Sequence, residues 1–231
     1  MYTPEFDASL SAWVDAGGVF AIANLRGGGE FGEEWHQGGN LTHKQNVFDD
    51  FIACAEYLTK VGYTTPAKLA MEGGSNGGLL MGAVLTQRPD LFRVLVSIAG
   101  VYDMLRSETT ENGQFNTTEY GSVKNVEQFN ALYGYSPYHH VKDGVKYPSV
   151  LFTVGENDPR VDPWHSRKMI TRLQAANASD NPILLISFSA AGHGGIGSAQ
   201  DQRIAMETYW MEFIYQQLGV KWVDPERSPS K

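Results

Sequence analysis

Short continuous apolar runs punctuate the chain, and stretches with helical spacing or polar composition separate them. Residues 18–25 (Gly-Val-Phe-Ala-Ile-Ala-Asn-Leu), 68–72, 93–99, 149–154 and 183–188 are each too short for a buried helix and carry no alternation. Such runs read as strands buried on both faces. Between them, 47–61, 78–87, 163–176 and 199–218 repeat their apolar residues at helical spacing. In the last helix these are Ile204, Met206, Tyr209, Trp210, Phe213, Ile214 and Leu218. Buried strands alternating with helices predict a parallel sheet covered on both faces. Two segments break the alternation. Residues 26–46 are polar and rich in glycine and read as one long loop of the kind that is usually functional. Residues 101–147 have weak periodicity and many aromatics, which predicts an excursion beside a site.

At 231 residues, 42% hydrophobic and 19% charged, the chain is long enough for one domain with a real core. The expected division is a partial domain at 1–223 and a polar tail at 224–231. A net charge of −8 argues against nucleic acid or an anionic membrane as partner. No run is long enough to span a bilayer, and residues 1–7 lack the basic start and apolar middle of a secretory signal. The single cysteine, Cys54, excludes an intrachain disulfide, favours a reducing compartment and reads as a small buried hydrophobe. A cytoplasmic location is therefore expected, with the periplasm as alternative. No cofactor or metal is expected: no ligand spacing appears, and Gly27-Gly28-Gly29 lacks a P-loop lysine. That triplet reads as a tight loop near the active site.

The chemistry lies at the strand ends. Gly73-Gly74-Ser75-Asn76-Gly77 falls between an apolar run and a helix, which is the context of a nucleophile elbow. The 149–154 run leads into Gly155-Glu156-Asn157-Asp158, and the 183–188 run leads into Ala191-Gly192-His193-Gly194. Serine, acid and histidine thus follow three strands in the order of α/β-hydrolases. A serine hydroxyl needs a base, and the base needs an orienting acid. Ser75 is the candidate nucleophile, His193 the base and Asp158 the acid. Asp103 competes with Asp158, and Glu156 and Asp162 are fallbacks. His36, His43, His139, His140 and His165 read as surface or capping residues. The backbone N–H of Asn76 is the candidate first oxyanion donor, and no second donor is evident.

These residues, with the blocks Arg26-Gly-Gly-Gly-Glu-Phe-Gly32, Trp35-His36, Lys44-Gln-Asn46, Phe48-Asp-Asp-Phe51, Gly73-Gly-Ser-Asn-Gly-Gly-Leu-Leu80, Gln87-Arg-Pro-Asp-Leu-Phe92, Tyr135-Ser-Pro137 and Ala191-Gly-His-Gly194, closely resemble the peptidase domain of the prolyl oligopeptidase family. The resemblance runs from about residue 12 to 222. It implies an N-terminally truncated α/β-hydrolase fold and a serine peptidase cleaving short peptides after proline. It implies that Ser75, Asp158 and His193 form the triad and that Arg160 holds a substrate carbonyl. It sets Asn76, Val101, Tyr120 and Val161 around the substrate, the last three at the proline pocket.

Three departures from the family stand out. Asn116, with Phe115 beside it, occupies the place of the tryptophan on which the proline ring stacks. Asp162 replaces an aliphatic pocket residue. The tyrosine loop that gives the second oxyanion donor, the strand before it and the gating β-propeller have no counterpart in this sequence. The family's missing strand would lie between 18–25 and 68–72, so these either close up or keep unpaired backbone. The resulting expectation is a fragment that is a monomer if complete and that otherwise needs its N-terminal segment. The alternatives are an esterase of the same fold, or an impaired fragment acting as a binding or structural module.

Overall fold

The computed structural model describes residues 6–110 and 112–221, so the tail expected at 224–231 lies outside the described residues. Its elements are α1 (Ala8–Asp15), α2 (Glu33–Gln37), α3 (Gln45–Lys60), β1 (Ala70–Gly74), α4 (Asn76–Gln87), β2 (Val94–Ile98), α5 (Thr117–Tyr120), α6 (Val126–Tyr135), β3 (Ser149–Gly155), α7 (Trp164–Ala176), β4 (Ile183–Phe188) and α8 (Gln200–Leu218), joined by short 3-10 turns. The four strands form one parallel sheet in the order β1-β2-β3-β4.

The side chains of the strands explain why both faces are covered. Successive strand residues point to opposite faces. Leu95, Val150 and Phe152 therefore join one cluster with Phe48 of α3, Leu79 and Met81 of α4, and Met169 and Leu173 of α7. Val94, Val96 and Leu151 join a second cluster with Phe213, Ile214 and Leu218 of α8. Each such fully buried aliphatic or aromatic side chain contributes about 1.5–3 kcal/mol. Tyr102, just past β2, stacks on Phe152 with centroids 4.7 Å apart, and its hydroxyl pairs with Ser97 Oγ at 2.7 Å. The buried phenol thus keeps a polar partner.

Residues 18–25 do not form the predicted strand. Val19 is 70% exposed, and Phe20 and Ile22 are each 47% exposed. The physical reason is pairing. A strand exists through its ladder, and among the described residues β1 pairs with β2 alone. The segment is held by other contacts: Trp13 Nε1 donates to Val19 O at 3.1 Å, and Trp35 Nε1 donates to Leu25 O at 2.7 Å.

The long loop is more ordered than expected. It contains α2 and the turn Leu41–His43. Asp50 of α3 pins its start by accepting from the backbone N–H, Nε and Nη2 of Arg26 at 3.0, 2.8 and 2.6 Å. Cys54 is only half-buried. In α8, Ile204 and Tyr209 face solvent, and Tyr215 is buried instead. His165 is no surface or capping residue. It is buried, and its Nδ1 accepts from the N–H groups of Tyr102 and Asp103 at 3.3 Å each. Burial pushes its pKa down to about 3, which suits a neutral acceptor.

Candidate active site

Ser75 follows β1, Asp158 follows β3 and His193 follows β4, all at the carboxyl ends of parallel strands. Ligands of open α/β sheets bind outside those ends. Ser75 has φ 58° and ψ −116°, a strained conformation for a residue with a Cβ. Two hydrogen bonds hold it there: its N–H donates to Ile98 O at 2.8 Å, and its carbonyl accepts from Leu79 N–H at 3.1 Å. The sharp turn depends on Gly73, because a Cβ there would sit 2.6 Å from Gly77 O. Gly77 itself has open space around its Cβ direction, so the second glycine of the motif is not the one that crowding requires.

The acid and histidine loops are brought together by the same kind of contact. A Cβ on Gly155 would meet Gly192 O at 2.3 Å, so the end of β3 lies directly against the histidine loop. Asn157 reinforces the join: its backbone N–H donates to Ala191 O at 3.0 Å, and its Nδ2 donates to Ser189 O at 2.9 Å. Asp158 Oδ2 then lies 2.7 Å from His193 Nδ1. Its other oxygen, Oδ1, accepts from the N–H groups of Arg160 and Val161 at 2.8 and 3.0 Å. The carboxylate is 1% exposed. Burial alone would raise its pKa, but the hydrogen bonds from His193, Val161 and Arg160 prevail and hold it below the usual carboxylate value.

The competing acids are engaged elsewhere. Glu156 bonds Arg167 and Ser187. Asp103 pairs with Lys168 and Arg106. Asp162, just ahead of α7, accepts from Trp164 N–H at 3.1 Å and does not line the cleft beside Ser75.

That cleft has a volume of about 390 Å³ and is lined by Ser75, Asn76, Val101, Asn112, Phe115, Asn116, Glu119, Tyr120, Arg160 and Val161. It gathers every substrate-contact candidate read from the sequence. Val101, Tyr120 and Val161 are buried, whereas Phe115 is 79% exposed at the edge. None of Gly27, Gly28 or Gly29 lines it, so that triplet is not a loop of this cleft. Asn112 and Glu119 were not anticipated. Nor was the partner of Glu119: Lys44 Nζ donates to Glu119 Oε1 at 2.6 Å, and Asn76 Nδ2 donates to the same oxygen at 3.3 Å. A lone lysine ahead of a helix carries no sequence sign that it will be buried.

Comparison with known proteins decides the family. The prolyl oligopeptidase family (Peptidase_S9) matches residues 4–221. The chain belongs to this family. It is 42% identical to the prolyl endopeptidase of Elizabethkingia meningoseptica over 219 residues, covering 94% of this chain and 31% of that protein. It is 49% identical to the prolyl endopeptidase of Dictyostelium discoideum over 193 residues, 81% of this chain and 25% of that protein. Among solved structures, one from a study of two prolyl endopeptidases superposes with a TM-score of 0.91 at 45% identity, covering 94% of this chain and 32% of that one. Oligopeptidase B from Leishmania major superposes with a TM-score of 0.90 at 33% identity, covering 97% of this chain and 31% of that one. The family fold is the α/β-hydrolase fold, as expected from the sequence. The chain thus spans less than a third of the E. meningoseptica protein, 31% of its length.

Proposed function

We propose that this domain is the catalytic part of a serine peptidase that cleaves short peptides on the carboxyl side of proline. The observation that carries the reading is the shared loop 158–161. Its acid bonds His193, and Arg160 and Val161, two and three residues further on, wall the cleft that contains Ser75. One short segment thereby links the base to the substrate space.

Because Asp158 accepts from His193 Nδ1–H, the lone pair of His193 lies on Nε2. That nitrogen takes the Ser75 proton as Oγ attacks the scissile carbonyl, and then gives it to the departing amine. Asp158 keeps the ring oriented and stabilises the imidazolium. The oxyanion develops beside Asn76, the first residue of α4, whose N–H has no acceptor within the helix. The positive end of the helix adds to this stabilisation. Water then attacks the acyl-enzyme by the same proton relay. Arg160 holds a substrate carbonyl. Val101, Tyr120 and Val161 form the apolar end suited to a proline ring, and Phe115 supplies an aromatic edge near Asn116.

A panel of chromogenic Xaa-Pro, Xaa-Ala and simple ester substrates tests the reading. Faster turnover after proline supports it. Ester turnover alone favours an acyl-hydrolase, and turnover of nothing removes the peptidase assignment from this chain.

A further inference from the structure

The cleft that holds Ser75 has a carboxylate in its wall. Glu119 and Asn76 both line it, and Asn76 directly follows the serine. An unbalanced negative charge there would oppose the oxyanion that forms beside the Asn76 N–H. Lys44 supplies the balance. Its side chain is 3% exposed, it reaches Glu119 Oε1 at 2.6 Å, and its ammonium lies 5.4 Å from the centre of the Tyr120 ring. The lysine comes from the start of α3, far along the chain from the cleft. A buried ammonium needs such a partner, and one carboxylate oxygen serves both Lys44 and Asn76.

We infer that Lys44 and Glu119 are a charge-balanced pair that positions Asn76 for the reaction at Ser75. Glu119 holds the Asn76 carboxamide, and Lys44 cancels the charge that this would bring to the oxyanion site. Both are positioning residues, and the inference rests on the peptidase reading above.

The test is the rate of Ser75 labelling by a fluorophosphonate, measured beside a urea melt, in wild type, Lys44→Met, Glu119→Gln, Glu119→Ala and Lys44→Met/Glu119→Gln. Lys44→Met leaves the carboxylate uncancelled and slows labelling by about 10-fold or more. Glu119→Gln in the same background removes that charge, keeps an acceptor for Asn76, and restores the rate to within about 3-fold of wild type. Glu119→Ala removes the acceptor and labels about 10-fold more slowly than Glu119→Gln. A pair that only supports the fold would make the double variant at least as slow as Lys44→Met, and that result overturns the inference. Should Lys44→Met fail to fold, equal rates in Glu119→Ala and Glu119→Gln overturn it instead. Unmoved rates in variants of a labelling wild type sink the inference alone. A wild type that does not label sinks the peptidase reading and the inference together.

Discussion

Two apolar runs of similar composition meet opposite fates in this molecule. Residues 94–98 become β2, with β1 on one side and β3 on the other and side chains buried in both clusters. Residues 18–25 form no strand and leave Val19, Phe20 and Ile22 in contact with solvent. Hydrophobicity does not separate them. Ladder partners do: a buried strand needs neighbours for its N–H and C=O groups, and apolar side chains cannot replace them. The serine, acid and histidine of the candidate site stand on the paired part, at the ends of β1, β3 and β4, whereas half of the cleft lining comes from residues 112–120 outside the sheet. The placement of these three residues is therefore tied to the sheet ladder.

The largest effect that sharpens this contrast is in the core. Phe152→Ala removes a ring packed on Tyr102 and is expected to cost about 3–5 kcal/mol in a urea melt. Phe20→Ala, in the unpaired run, is expected to stay within about 0.5 kcal/mol. Comparable losses at both positions would break the comparison. Hydrogen exchange sharpens it further. Amides of β2 and β3 should exchange only by the largest openings, whereas those of 19–24 should exchange with little protection.

A smaller effect appears with pH. The folded pKa of Asp158 lies below its unfolded value, so its stabilisation is complete above about 4 and is lost as pH falls through the folded value. Asp158→Asn should therefore be less stable than wild type at pH 7, and the two should converge in acid. A constant gap across the whole range would show that the carboxylate contributes through shape alone.

Much of this was readable in the chain. The four strands and the helices flanking them follow from apolar runs and helical spacing, and the Ser-Asp-His order falls at strand ends where such chemistry belongs. The misses share a cause. The fate of 18–25, the burial of His165 and the pairing of Lys44 with Glu119 depend on neighbours distant in sequence, and local pattern carries no record of them. The ordering of 26–46 likewise depends on Arg26 finding Asp50 on α3.

The nucleophile is tested most directly by treating the full chain with a fluorophosphonate and mapping the adduct by peptide mass spectrometry. The account predicts one adduct, on Ser75, absent in Ser75→Ala and formed far more slowly in His193→Ala, with both variants still melting cooperatively. An adduct on another residue, or undiminished labelling of Ser75 without His193, would contradict it.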